Sequence, residues 1–588
     1  MPTTQVTFLE QLSLANSKSG HPPAEGEATA SSSLHQELSA NDRGAVYTRP
    51  EVVAFMLDLA GYLKESDLTL KRVLEPAAGD GAFAVQIVDR VVRSFLAHGG
   101  TSHDAAARLQ HCLVAVEVFE ESAAILRARL ATTAEGAGLG GHISEQLAAK
   151  WVIVGDSLLT DFVGSFDLVI GNPPYVRQES IPAGLLTRYR QRYATLFNRA
   201  DLYVLFFELG LSLLRPGGKL AFLCSDRWMK CAYGKPLRAL VAEHFSLDAF
   251  VDMVDTQAFT SEVVAYPAIT VISRNPPTSQ KTLAAFRPTI DTVQLQQLAS
   301  GFAAGNPSTK LGIRLLESVV TGSAPWLLDG DGTLPLVRSL EKRFPLLEAC
   351  GCRVGIGVAT GCDRVFIDDF ERLAVEPERK LRLVMADCIR SGQLVWGGKG
   401  LVNPFEPDGS LAEPRQYPLF AAFLKHNETA LKKRNVAQRS GDGWYRTIDR
   451  IWDHLTATPK LLIPDIKGEP NVVIDSGEFY PHHNLYWVTS QEWGLQELQA
   501  ILRSSIAKLF VASYCVKMAN GFLRFQAQYI RRIRLPQWNS VSASQRVALR
   551  EAVQRLDQTA IDEITNTVYG LDQDAIATLQ RFRDSFNQ

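Results

Sequence analysis

Apolar runs that stop on a polar residue recur through the first third of this chain. Arg72-Val73-Leu74 ends at Glu75 and Leu113-Val114-Ala115-Val116 at Glu117. Trp151-Val152-Ile153-Val154-Gly155 ends at Asp156-Ser157, and Phe166-Asp167-Leu168-Val169-Ile170-Gly171 at Asn172. Short aliphatic runs bounded by turn signals read as buried strands. After the first of them, Phe83, Ile87, Val88, Val91 and Val92 recur at helical spacing. The alternation is that of βαβ units, so the polar residues fall at one edge of a mostly parallel sheet. A helical run, Ala200 to Glu208, stops at Arg215-Pro216-Gly217-Gly218, and a further strand follows over Lys219–Cys224.

The rest of the chain is patterned differently. Residues 1–42 are rich in Ser, Ala, Gly and Thr, and read as a flexible leader, too short for a nuclease domain. Residues 43–275 form the first domain. Residues 276–335 gather Ser, Gly, Pro and Thr and read as a connecting segment with room for some helix of its own. From 336 to 540 a second globular region is expected. Its strands are Val354–Gly361 with close backbone approach, Pro459–Pro464, Asn471–Ile474 and Asn484–Thr489. Helical periodicity (Val547, Leu549, Val553, Leu556, Ile561, Ile564) makes 541–588 a helical segment. Glu378-Arg379-Lys380, near Asp368 and Asp369, reads as a solvated helix face rather than a nuclease motif.

Two of the strand ends carry a recognisable chemistry. Glu75-Pro76-Ala77-Ala78-Gly79-Asp80-Gly81 is a tight glycine turn entering a helix, which lets a ligand approach the backbone and meet helix N–H groups. The turn has no Walker lysine, against a triphosphate. Glu117 can accept from both ribose hydroxyls of a nucleoside cofactor, and Asp156 from an adenine amino group. Asn172-Pro173-Pro174-Tyr175 suits the activation of a planar, conjugated NH2 group. The Asn172 side-chain carbonyl and the Pro173 backbone carbonyl accept its hydrogens and release its lone pair, while Tyr175 offers a face for stacking. By composition alone such a turn is also an ordinary strand-ending loop. Asn275-Pro276-Pro277-Thr278, which lacks the aromatic residue, reads as a linker.

Taken in order, these segments resemble the TaqI-like N6-adenine DNA methyltransferases, from Gly44-Ala45-Val46-Tyr47-Thr48-Arg49-Pro50 to about residue 275. The resemblance implies an α/β fold: a Rossmann-like methyltransferase sheet with helices on both faces, plus a C-terminal mixed α/β DNA-recognition domain. It implies S-adenosylmethionine as cofactor. Thr48, Glu75, Ala77, Gly79 and Gly81 would hold its methionine part, Glu117 its ribose, and Asp156 with Phe206 its adenine. Asn172, Pro173 and Tyr175 would hold the target base. Phe259 would clamp the other face of that base, with Tyr266 as the fallback. Ser157 stands where the family often has an aromatic residue. Gly361-Cys362-Asp363-Arg364 followed by Phe366 resembles the family's target-recognition domain.

Composition narrows the partners. The chain has 588 residues, 46% of them hydrophobic, and a net charge of −2, so any DNA contact comes from a local basic surface. Two stretches qualify: Lys432, Lys433, Arg434, Arg439 and Arg446, with Trp444, Tyr445 and Arg450; and Arg524, Arg531, Arg532 and Arg534, among Phe522, Phe525, Gln526, Gln528 and Tyr529. Such mixtures neutralise phosphates and read base edges, although each is also compatible with a plain solvated surface. Eight cysteines without paired spacing fit a reducing cytoplasm, and Cys350, Cys352 and Cys362 lack the spacing of a zinc site. No apolar run approaches a membrane span. The expectation is a cytoplasmic, nucleoid-associated bacterial enzyme acting on double-stranded DNA, with no endonuclease of its own. A cognate restriction endonuclease or other defence-system protein is a possible companion. Protein glutamine N5-methylation, cytosine N4 methylation and a catalytically silent DNA-specificity subunit remain open alternatives.

Overall fold

The computed structural model describes residues 48–585 apart from 255, 260–266, 277–280, 318, 329–331, 391, 468–470 and 516–522. The leader, Gly44–Tyr47, Tyr266 and Phe522 therefore lie outside the described residues. The chain divides into two compact units, 1–330 and 331–588.

The first unit is built on nine strands: β1 (Val73–Glu75), β2 (Leu113–Glu117), β3 (Val152–Val154), β4 (Phe166–Gly171), β5 (Leu214–Ser225), β6 (Ser246–Asp252), β7 (Pro267–Ser273), β8 (Lys281–Phe286) and β9 (Arg314–Glu317). Its helices of eight residues or more are α1 (Pro50–Leu59), α2 (Ala82–Ala97), α3 (Ser102–Leu109), α4 (Glu120–Gly136), α5 (Gly141–Trp151), α6 (Ala183–Arg192), α7 (Tyr203–Ser212), α8 (Lys235–His244) and α9 (Thr292–Ala303). The sheet order is β3-β2-β1-β4-β5-β7-β6-β8-β9. Strands β3 to β5 are mutually parallel; β7 and β9 run antiparallel to their neighbours. The order turns back between β1 and β4, and open α/β sheets bind ligands outside the carboxyl ends of the strands at such a point.

Both sheet faces are covered. Val73, Leu168, Ile170, Ala221 and Leu223 share one apolar core with α1, α2, α4 and α9. Leu74, Val169, Leu220 and Phe222 are buried between them in sequence, on the opposite face. There Phe207 of α7 meets Phe222 edge-on, ring centroids 5.2 Å apart. Gly210 lets α7 lie close on the sheet, because a Cβ there would collide with Leu220 and crowd Val169.

One boundary read from the sequence is corrected. Much of the supposed connection 276–335 belongs to the sheet: β8 pairs parallel with β6, β9 closes the edge, and α9 packs Leu295, Leu298 and Phe302 into the core. The polar loop composition around Ala304–Ser308 hid the two strands, since β9 is a solvated edge strand with little apolar signature.

In the second unit, two small two-stranded ribbons aside, the strands are β10 (Cys352–Ile356), β11 (Ile367–Asp369), β12 (Lys380–Val384), β13 (Lys399–Val402), β14 (Lys460–Pro464), β15 (Val473–Asp475), β16 (Tyr480–Pro481) and β17 (Leu485–Ser490). They form two four-stranded sheets, β10-β17-β14-β15 and β11-β13-β12-β16. Helices Ala543–Gln554, Gln558–Val568 and Gln573–Ser585 follow, the first opened by a Ser542/Gln545 capping box. Glu378-Arg379-Lys380 is not a helix face. It is a single 3-10 turn running into β12, and Arg379 is buried against Glu406 (3.2 Å) and the Tyr417 ring. No helix among the described residues is long and apolar enough to cross a membrane.

Candidate active site

A cavity of about 420 Å³ opens at the β1/β4 reversal. Thr48, Glu75, Ala77, Gly79, Glu117, Asp156, Asn172 and Phe206, all singled out from the sequence, line it. They meet there because each strand ends at the same edge: Glu75 aligns with Ala115, and Glu117 with Val154.

The wall is one-sided in charge. Glu75, Asp80, Glu117 and Asp156 contribute four carboxylates, of which Asp80 is paired with Arg129 (2.7 Å), and no Lys, Arg or His among the described residues lines the cavity. That set repels a phosphate-bearing cofactor and suits a cationic one. Glu75 is 1% exposed, and its Oε2 has no hydrogen-bond partner among the described residues. Burial pushes its carboxyl well above the usual carboxylate range, against the pull of the Ala84 N–H at the start of α2. A buried acid of this kind gains most from an arriving positive charge. Glu117 accepts from Gly79 N and Phe119 N, both at 3.0 Å, and so ties the glycine turn to β2. Gly79 has φ +53°, and a Cβ there would meet no atom within 4 Å. Gly81 stands behind the turn as the N-cap of α2, at φ +91°, where a Cβ would collide with Leu126. It shapes the turn and does not line the cavity.

Asn172 follows β4 directly. Its Nδ2 donates to Thr48 Oγ1 (3.3 Å), which fixes the two ends of the amide. Pro173 is buried, and Pro174 reaches the cavity wall. Tyr175 is half-buried; its hydroxyl donates to Leu223 O (3.4 Å), and its ring lies 6.4 Å from that of Tyr203. Burial raises the Tyr175 phenol well above its ordinary value, so it stays protonated. Asn275 follows β7, which runs antiparallel to β5, so the second Asn-Pro-Pro begins at the opposite edge of the sheet. Pro277 and Thr278 lie outside the described residues.

Phe259 departs from expectation. An isolated antiparallel bridge makes it a neighbour of Thr48, but the residue is 8% exposed and belongs to the apolar core; like Pro173 and Tyr175, it is not among the residues that line the cavity. Sequence reasoning missed another wall. Ile181, Pro182, Leu185 and Tyr189, at the start of and along α6, border the cavity, as do Phe119, Ser122 and Ile125 at the β2–α4 turn. The apolar i, i+4 pair Leu185/Tyr189, just after the Asn-Pro-Pro-Tyr turn, was the available signal.

The two basic stretches of the second unit fare differently. Lys433 and Arg439 are exposed, and Lys432 is exposed beside Glu428 and the Trp444 ring. Arg446 is half-buried. Arg434 is a strut: its guanidinium donates to the carbonyls of Leu431, Thr360 and Trp444 and lies over Phe366. In the second stretch Arg524 pairs with Asp465, Arg531 with Glu348 and Val354 O, and Arg532 lies 5.3 Å from the Tyr514 ring. These partners are distant in sequence, which is why the stretch read as available. Asp363, His482 and His483 gather one metal-ligating atom each within 4.8 Å. Asp363 there accepts from Thr360, and His482 Nε2 lies 3.2 Å from it, so hydrogen bonding accounts for the pair.

Comparison with known proteins gives the family. Residues 141–259 match the Eco57I restriction-modification methylase family, and residues 421–535 the TaqI-like C-terminal specificity domain. The Type II methyltransferase M.XhoI of Xanthomonas vasicola is 48% identical over 544 residues, 92% of this chain and 100% of that protein. M.PaeR7I of Pseudomonas aeruginosa is 47% identical over 553 residues, 94% of this chain and 96% of its own length. The DNA complex of MmeI, a Type IIL restriction-modification enzyme, shares the fold over 96% of this chain and 78% of that one, with a TM-score of 0.58 at 13% identity. The chain belongs to the Type II methyltransferases, the S-adenosylmethionine-dependent DNA methyltransferases of restriction-modification systems.

Proposed function

We propose that this protein methylates N6 of an adenine turned out of duplex DNA, at a specific site, as the modification enzyme of a restriction-modification system. The carrying observation is the meeting of Asn172 and Thr48 in the wall of a carboxylate-lined cavity that has no basic side chain among the described residues. Bound there, S-adenosylmethionine supplies a methyl group on a positively charged sulfur that leaves as a neutral thioether. Glu75 and the glycine turn offer the charge and N–H groups for its amino-acid end, Glu117 for its ribose, and Asp156 with Phe206 for its adenine. Asn172 Oδ1 and Pro173 O accept from the target amine, and Tyr175 stacks on the base. Turning the base out costs a few kcal/mol; holding the amine in line with the methyl group supplies much of the acceleration. The amine's proton departs after transfer, so no base is required at the turn.

Tritium transfer from labelled donor to DNA, followed by identification of the modified base, tests this reading. N6-methyladenine is expected. N4-methylcytosine, or label in a protein glutamine, would reverse it, and no transfer would favour a silent specificity subunit. The terminal specificity domain supports DNA over a protein substrate.

The second unit supplies the docking surface, through Lys433 and Arg439 first, with Lys432 and Arg446 beside them. Lys433→Ala and Arg439→Ala should each weaken binding to specific and random duplexes alike, and lower the salt slope of log Kobs by about one for each phosphate left without its cation. Arg531→Ala, which removes a part-buried hydrogen bond to Val354 O and an exposed pair with Glu348, should instead lower the melting temperature and leave that slope unchanged. Fluorescence anisotropy over a salt series, with thermal unfolding alongside, separates the two classes.

A further inference from the structure

Helix α6 enters the site by a contact that no motif announces. The Tyr189 hydroxyl donates to Asp156 Oδ2 at 2.8 Å, and Leu158 N donates to Asp156 Oδ1 at 2.9 Å. One donor on each oxygen fixes the plane of a carboxylate that would otherwise turn about a soft terminal torsion. Tyr189 is 1% exposed, so the contact is sheltered from competing water. Burial, with the Asp156 charge next in size, pushes its phenol far above the ordinary value, which keeps it a donor at every working pH. The rest of α6 is bound to the same loop. Arg192 donates to Leu159 O (3.1 Å) and Thr160 O (3.0 Å) and pairs with Asp161 (2.7 Å), while Tyr193 donates to Leu158 O (2.8 Å). Of these three side chains, Tyr189 is the one that touches the Asp156 carboxylate and lines the cavity.

We propose that Tyr189 is a positioning residue of the donor site: through its hydroxyl it aims the Asp156 carboxylate at the 6-amino group of the donor's adenine, and so sets the enzyme's preference for a 6-aminopurine. The inference rests on the proposed role of Asp156. It gives α6 a function beyond packing, since the helix that follows the Asn172–Tyr175 turn thereby carries part of the donor site.

The test compares two ligands by calorimetry on the full chain: S-adenosylhomocysteine, and its analogue with hydrogen in place of the 6-amino group. The wild type should bind the amino ligand at least about tenfold tighter, the worth of a hydrogen bond to a charged group. Tyr189→Phe keeps the ring and removes the donor. It should lose about tenfold on the amino ligand, hardly change on the analogue, and so erase most of the discrimination. Arg192→Ala loosens α6 without touching the carboxylate, and should leave the ratio between the two ligands as in the wild type. If Tyr189→Phe weakens both ligands equally, Tyr189 only packs and the proposal fails while the role of Asp156 stands. If the wild type does not discriminate, the role of Asp156 fails and takes the proposal with it. If the wild type binds neither ligand, the functional reading itself is wrong.

Discussion

Asn172→Ala is expected to bind donor within about threefold of the wild type and to methylate DNA about a thousandfold more slowly or worse. Removing one preorganised polar group aimed at developing charge typically costs ~10²–10³ in kcat, and this variant also frees the amine to rotate out of line with the methyl group. The effect should fall on kcat, because an exocyclic amine conjugated to its ring becomes nucleophilic only as its nitrogen turns pyramidal, and the two carbonyl acceptors act on that change. Thr48→Val should show a weaker version. It removes the oxygen that receives Asn172 Nδ2 at 3.3 Å, so the amide is free to present its nitrogen instead of its oxygen. Single-turnover methylation with saturating donor and DNA, beside donor titration, separates the two quantities. An Asn172→Ala variant that turned over at a near-normal rate would remove the acceptor mechanism.

The site was legible in the sequence to the extent that it lies on regular structure. Glu75, Glu117, Asp156 and Asn172 each end an apolar run, and strand periodicity places them at one edge without any knowledge of the tertiary fold. The glycine turn was legible because its conformation excludes a side chain: Gly81 sits at φ +91° with Leu126 in the way of any Cβ. What the sequence did not yield depends on partners far along the chain. Tyr189 is an unremarkable helix residue until the fold sets it beside Asp156. Arg524 and Arg531 look available for phosphate until Asp465 and Glu348 arrive from 59 and 183 positions away. The strands at 281–286 and 314–317 were missed because short elements at and near a solvated sheet edge carry little periodic signal among polar loops. Phe259 was assigned by order along the chain, and order does not tell a core ring from one that faces a ligand.

Lys460→Met and Asp475→Ala are each expected to destabilise the second unit by about 3–5 kcal/mol, the cost of stranding one member of a buried ion pair. The pair is fully enclosed: both side chains are 0% exposed, with Nζ and Oδ2 2.6 Å apart. Lys460 also donates to the carbonyls of Leu455 (2.9 Å), Thr456 (3.2 Å) and Thr458 (3.1 Å), closing the end of the short helix His454–Ala457. Asp475 collects the N–H groups of Gly477 (3.1 Å), Glu478 (3.0 Å) and Phe479 (3.4 Å), which shape the turn after β15. The ammonium thus ties two turns to adjacent strands, β14 and β15, whose pairing sets Lys460 opposite Asp475. Burial draws the Lys460 pKa below its ordinary value while Asp475 holds it up, the sign of a charge kept only by its partner. The double variant Lys460→Met/Asp475→Asn should therefore recover part of the loss, since no charge is left buried and the new amide oxygen still accepts from the turn. Urea unfolding of these variants, with Asp475→Asn alone to close the cycle, gives the coupling directly. Single variants that cost less than about 1 kcal/mol, or effects that simply add, would show that the pair is not the brace this geometry describes. Because the brace lies in the unit that carries the specificity domain, its loss should abolish DNA binding at temperatures where the donor site, built on the other unit's sheet, still takes up S-adenosylhomocysteine.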